Sequence, residues 1–269
     1  MNMMARRILN LIVGASLMFL LATGPSQILR AQDDSHQQLT KEQIFQKSKT
    51  AYAALTSYSD EGTSIATLNG LTITRSFSIR MNRPNLYRIA WQDIFTDPAD
   101  APLNRSMVVW SSGNGDFLDT GFGKGAVKKE SLEMALAGAT GISGGAAGEI
   151  PAAFFNTQWA NPFCCLAKGL MQQAGERVGD TDCYVFTGGT EDNTRTIWIG
   201  EQDFLIRQIR NITTAAGMKA AIERAAKVVP SAPDEPNIQP TGMTSTETHT
   251  NIVVNQKFVE ANFVPATAK

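Results

Sequence analysis

From Leu39 onward the chain alternates between two periods. "LTKEQIFQKSKTAYAAL" repeats apolar and small residues at helical spacing, with Ile44, Ser48, Ala51, Tyr52 and Leu55 on one face. Thr40 stands at an N-cap position, Gln43 three residues on completes a capping box, and Leu39 can staple to Ile44. A helix with one such face needs a surface to lie on.

The chain that follows supplies strands. "RSFSIRMNRP" sets Phe77, Ile79 and Met81 against Ser76, Ser78 and Arg80, and "LYRIAW" sets Tyr87, Ile89 and Trp91 against Arg88 and Ala90. "MVVWSSGNGDFLD" predicts a hairpin around Ser112-Gly113-Asn114-Gly115, whose glycines accept the positive φ of a tight turn. Further on, "CYVF", "TRTIWIG", "FLIRQIRNI" and "TETHTNIVVN" read as consecutive antiparallel strands. A period of two repeated this often predicts an antiparallel sheet with one buried face. The middle, Ala126 to Gly175, breaks the pattern with helical pieces between glycine- and proline-rich turns. A second insert, about 215–242, begins as a short helix and ends in a mobile Pro-rich stretch.

The first residues lie outside this scheme. Arg6 and Arg7 precede an apolar run from Ile8 to Ala22, about 15 residues, which suits a secretory leader and falls short of the ~20 that span a bilayer. The expected segments are a signal peptide 1–31 cut near Ala31–Gln32 (Ala22–Thr23 being the alternative), a flexible lead 32–38, and a single domain 39–269. Removing Arg6, Arg7 and Arg30 with the leader leaves 21 basic against 25 acidic residues, a net charge of −4. No basic block remains to meet nucleic acid. The expected location is periplasmic or secreted, where Cys183 can bridge to Cys164 or Cys165.

Candidate chemistry is sparse. Gly141-Ile142-Ser143-Gly144-Gly145 matches G-x-S-x-G, and His249 follows about a hundred residues later. A nucleophile elbow requires a strand, a sharp turn and a helix; here "LEMALAGAT" precedes Ser143 and reads as a helix. His249 is expected to face solvent or a strand neighbour, and His36 belongs to the lead. No spacing of histidines and cysteines suits a metal, and "GFGKGA" lacks the order of a phosphate loop. The pairs Asp116/Asp119 and Glu191/Asp192 read as turn acids. Neither a cofactor nor a catalytic residue is expected.

At "MNRPNLYRIAWQD" and "VVWSSGNGDFLDT" the chain resembles the LolA-like periplasmic lipoprotein carriers and outer-membrane lipoprotein-sorting proteins. The matching residues are Arg83, Pro84, Asn85, Leu86 and Tyr87, then the turn Ser112 to Gly115; "RTIWIGEQDFLIRQI", "ETHTNIVVNQKF" and "ANFVPA" are similar to the family's late strands. The resemblance runs from about Leu39 to Pro265. It implies an α+β fold, an incomplete, strongly curved antiparallel β-barrel (LolA/LppX-like) with helices covering its concave face. It also implies a hydrophobic cavity that shields acyl chains of lipids or lipoproteins, received from and passed to membrane donor and acceptor proteins by a monomer. The expected lining is Phe77, Ile79, Met81, Tyr87, Ile89, Trp91, Trp110, Leu136, Phe154, Phe155 and Trp198. Arg83 takes the place of the family's arginine, whose implied role is to bond backbone carbonyls of the covering helix and hold the lid shut. The alternative is a non-catalytic interaction module on the same fold, with a Ser143 esterase as a remote third.

Overall fold

The structure is a computed structural model and describes residues 39–68, 70–94, 105–123, 125–157, 162–165, 169–228 and 241–265. The expected leader 1–31, the lead 32–38 with His36, the Pro-rich residues 229–240 and the side chains of Cys164 and Cys165 lie outside that description.

Helix α1, Lys41–Ala54, starts as its sequence dictates. Thr40 Oγ1 accepts from Gln43 N at 3.3 Å, and Gln43 Oε1 accepts from Thr40 N at 2.8 Å. Such a cap stabilises a helix by about 1 kcal/mol. Ile44, Phe45, Ser48 and Tyr52 are its buried face. Ser48 Oγ donates to Phe204 O at 2.6 Å, and Tyr52 Oη accepts from Ile206 N at 3.2 Å, so polar bonds fix the helix as well as packing.

The strands are β1 (Ser57–Leu68), β2 (Leu71–Asn82), β3 (Leu86–Ile94), β4 (Ser106–Ser111), β5 (Asp116–Asp119), β6 (Val127–Lys129), β7 (Met171–Gln172), β8 (Glu176–Val178), β9 (Thr181–Thr190), β10 (Asn193–Gly200), β11 (Ile206–Thr213) and β12 (Met243–Val254). They form one twelve-stranded sheet in the order β6-β5-β4-β3-β2-β1-β12-β11-β10-β9-β7, with β8 also paired to β9. Every pairing is antiparallel. The two ends of that path do not pair with each other, so the barrel is incomplete. Register shifts at Ser59/Glu61 and Trp198/Ile199 add local bends and twist.

Helices α2 (Leu132–Ser143), α3 (Glu149–Phe155) and α4 (Pro162–Cys165) come from the middle of the chain, and the first two pack on the inner face of the sheet. Ser131 caps α2 by accepting from Met134 N at 3.2 Å, and Gly144 ends it in the left-handed conformation. The second insert begins with the expected helix, α5 (Ala215–Val228). Thr214 Oγ1 accepts from Gly217 N at 3.1 Å and donates to Asp192 Oδ1 at 2.6 Å, which ties the helix start to the β9–β10 turn.

Candidate functional site

The inner face changes character along the strands. At one end, β2 and β3 present Phe77, Ile79, Met81, Tyr87, Ile89 and Trp91, and all six are buried. Leu136 of α2 and Phe154 of α3 press on them, and Phe155 meets Phe154 and Tyr87 edge-on at centroid distances of 4.9 and 5.9 Å. These nine residues, expected to line a cavity, are instead the packed core beneath the helices. Covering them removes apolar surface that would otherwise meet water.

Two more expected lining residues are on the other side of the sheet. Trp110 neighbours inward-facing Val109 and so faces outward, stacked on Phe117 at 5.4 Å. Trp198 lies outward with Val185 and Cys183, and its Nε1 donates to Glu176 Oε2 at 2.8 Å. In "MVVWS" and "TIWIG" both faces are apolar, so alternation does not reveal which way a tryptophan points. Cys183 belongs to the same outer cluster. Its thiol is free, with the side chains of its expected partners, Cys164 and Cys165, outside the described residues, and burial pushes its pKa up to about 11.

Midway along the sheet a polar belt crosses the inner face. Glu247 pairs with Ser64, Ser64 with Arg75, and Arg75 with Asp93, a row over β12, β1, β2 and β3. Arg75 Nε is 2.7 Å from Asp93 Oδ1, and Arg105 Nη2 is 3.8 Å from Asp93 Oδ2. Beside the row, His249 Nδ1 is 2.6 Å from Asp60 Oδ2 and its Nε2 is 3.0 Å from Glu247 Oε1. Tyr58 Oη also donates to Asp60 Oδ2, at 2.7 Å. Arg195 of β10 ion-pairs with Glu149 in the first turn of α3. His249 is 2 % exposed; of the two expectations, solvent or a strand neighbour, the second holds, since Asp60 lies on the paired β1 and Glu247 on β12 itself. Burial alone pushes its imidazole down, and Asp60 and Glu247 together outweigh that and raise it to about 10. Burial pushes Glu149 up, with Arg195 opposing.

The glycine-rich turn between α2 and α3 sits on this belt. Ser64 Oγ donates to Gly144 O at 2.7 Å, and Trp91 Nε1 donates to Ile142 O at 3.0 Å. A Cβ on Gly144 would come within 2.6 Å of Ser64 Oγ, and one on Gly145 (φ +115°) would overlap Glu247 Oε2. The glycines are there because the sheet's polar groups take the space a side chain needs. Ser143 is buried at the end of α2, its Oγ donating to Thr140 O at 3.2 Å and accepting from Ala147 N at 3.0 Å. The G-x-S-x-G match is thus a helix end, with no strand leading into it.

Beyond the belt the inner face opens into a cavity of about 590 Å³. Its walls are Ala66, Leu68, Leu71, Ile73, Ile209 and Met243 from β1, β2, β11 and β12, and the α2–α3 turn closes one side. Arg75, Glu149 and Glu247 stand at its floor. Leu68 and Leu71, paired across the β1–β2 hairpin, are 40 % and 51 % exposed and form the rim. None of these wall residues was among the expected lining. The Asn69-Gly70 dipeptide between two β-rich runs was the sequence signal for that hairpin.

At the opposite end, Arg83 joins three elements. Its Nε donates to Leu55 O at 2.8 Å, and its Nη2 donates to Tyr52 O at 3.3 Å and to Phe154 O at 2.5 Å. The guanidinium also lies over the Phe154 ring at 4.6 Å. The end of β2 is thereby tied to the end of α1 and to the covering helix α3.

No protein-family model and no curated protein matches the chain. Among solved structures, it aligns with the MucA/MucB complex of Pseudomonas aeruginosa at 11 % identity and a TM-score of 0.43, over 85 % of this chain and 62 % of that one. The chain therefore spans less than two thirds of that protein's length. It aligns with a LolA superfamily protein from Nitrosomonas europaea at 12 % identity and a TM-score of 0.34, over 85 % and 99 % of the two chains. For LprF from Mycobacterium bovis the figures are 10 %, 0.39, 81 % and 94 %. The architecture is an open antiparallel half-barrel with helices across its inner face.

Proposed function

We propose that the protein is a binding protein, exported to the periplasm or secreted, that shields an acyl chain in the cavity bounded by Leu68, Leu71, Ile73, Ile209 and Met243. The observation that carries this reading is an apolar cavity of about 590 Å³ whose rim is itself apolar and exposed. That volume falls within the range of about 300–1,000 Å³ usual for small-molecule sites. Each methylene buried there contributes roughly 0.8 kcal/mol, so binding needs no catalytic group. The donor and acceptor of the cargo are expected to be membrane-associated, and Arg83 is proposed to keep α3 closed over the core while cargo occupies the other end.

The test uses the exported protein, whose N-terminus is expected near Gln32, titrated with a fluorescent fatty acid. Ile73→Trp and Ile209→Trp fill the cavity from two strands and are expected to weaken binding at least tenfold. Ser143→Ala is expected to bind as wild type does, and a fluorophosphonate probe to leave the protein unlabelled. Equal binding by wild type and both tryptophan variants would remove the cavity from the argument. Ester turnover lost in Ser143→Ala would replace it with a hydrolase.

A further inference from the structure

The outer face of the sheet carries a pair of cations without an ion-pair partner among the described residues, although Glu61 and Asp119 line the same cavities. Arg80 of β2 and Arg88 of β3 stand directly opposite each other across the ladder. Like charges in that position destabilise a sheet. Both side chains are half-buried, and among the described residues neither makes an ion pair or a side-chain hydrogen bond. Arg88 Nε is shut off from solvent without a partner. Burial lowers the pKa of Arg88, and the neighbouring Arg80 lowers it further. Trp110, opposite Arg88 on β4 and stacked on Phe117, walls the far side. A guanidinium fixed with a buried N–H unsatisfied is costly, by the same reasoning that makes buried polar groups pair.

The surroundings provide room and donors. Arg88 lines an outer-face cavity of about 670 Å³ together with Ser76, Ser78, Thr63 and Gln92. Arg80 lines an adjoining one of about 520 Å³ with Ser59, Ser78 and Lys257. Ser78 and Glu61 belong to both. Glu61, the acid nearest in register, is not an ion-pair partner of either arginine; its Oε2 accepts from Asn251 Nδ2 at 3.1 Å. The site thus presents two planar guanidinium forks, flanking hydroxyls and a third, exposed cation.

We propose that Arg80 and Arg88 form a binding site for a phosphate group on the outer face of the sheet. Two adjacent guanidiniums match a phosphomonoester, which carries a charge of about −1.5 to −2 at neutral pH and oxygens spaced for bidentate contact. A carboxylate would leave one of the two charges uncompensated. The site faces away from the acyl cavity and does not depend on it. Its source of phosphate is either a free ion or the headgroup of a lipid.

The experiment is thermal unfolding of the intact protein at constant ionic strength, with inorganic phosphate exchanged for chloride. Phosphate is expected to raise the wild-type Tm by about 2–4 °C. Arg80→Gln and Arg88→Gln should each abolish that shift. Arg80→Glu places an acid opposite Arg88; it should raise the Tm without phosphate and remove the response to it. Flotation with phosphatidylcholine vesicles, with and without phosphatidic acid, separates the sources: binding only with phosphatidic acid identifies a headgroup, and a phosphate shift without flotation identifies the free ion. Fatty-acid binding is measured in the same variants and should not change, so a failure here leaves the inner cavity untouched. No phosphate shift and no flotation in wild type would overturn the proposal, as would a shift equal in wild type and both glutamine variants.

Discussion

His249 is where one side chain decides most. Its imidazole is buried between Asp60 and Glu247 and raised to about 10, so it is charged at neutral pH. A folded pKa above the unfolded value of about 6.5 gives stability that is complete below pH 6.5 and is lost as pH rises through about 10. We therefore expect stability measured by urea unfolding to fall between pH 6.5 and 10, and to fall less in His249→Gln. At pH 6 His249→Ala should cost about 3–5 kcal/mol, because it leaves two buried carboxylates without their cation. A flat pH profile shared by wild type and the glutamine variant would mean the imidazole is neutral in the fold. Nothing in "MTSTETHTNIVV" shows this burial in advance. Thr244, Thr246 and Thr248 alternate with Ser245, Glu247 and His249, so both faces of the strand are polar and the period of two has no contrast to report.

At the scale of elements, the α2–α3 segment is fixed to the sheet by polar contacts as well as by apolar packing. Ser64, Trp91, Arg83 and Arg195 each reach it from a different place on the sheet. Two glycines in one short stretch should then behave oppositely. Gly141 lies inside α2 with open space where a Cβ would go, so Gly141→Ala should stabilise by about 0.5–1 kcal/mol. Gly145→Ala puts a side chain at a positive φ and must displace the Glu247 carboxylate, so it should destabilise by more than that; chemical unfolding of the pair reads both signs. Arg83→Leu removes charged hydrogen bonds to α1 and α3. It should cost about 1.5–3 kcal/mol and speed amide exchange across residues 150–155, and unchanged exchange there would deny it a role in holding α3. Elements with a local signature were legible, α1 through its capping box and β2 and β3 through alternation, whereas Arg83 was singled out by the family resemblance. Strand β1 was not, although it lies mid-sheet, because its inward row of Tyr58, Asp60, Gly62, Ser64, Ala66 and Leu68 mixes polar and apolar residues. That same mixture is what builds the belt and the cavity, so the site was hidden for the reason that it exists.

Across the whole molecule, the inner face runs from packed aromatics through the polar belt to the open apolar cavity. Under the proposed function the belt is expected to set the depth to which an acyl chain runs, since passing it would strand paired charges beside hydrocarbon. Affinity for saturated fatty acids should rise roughly fourfold per methylene and then level off once the chain reaches Arg75 and Glu247; a series of probes of increasing length, read by fluorescence displacement, measures where. An unbroken rise beyond the cavity's length would mean that the belt yields. The open barrel has a second consequence, at its borders. A sheet that never closes has two free margins, each able in principle to zip onto another molecule and start a fibre. Here one margin is the three-residue β6, carrying Lys128 and Lys129, and the other is divided between β7 and β8, two and three residues long. Copies meeting side by side find too few free amides to hold and lysines that repel. An unsealed barrel with such short margins is expected to stay monomeric, which the elution volume in size-exclusion chromatography would check.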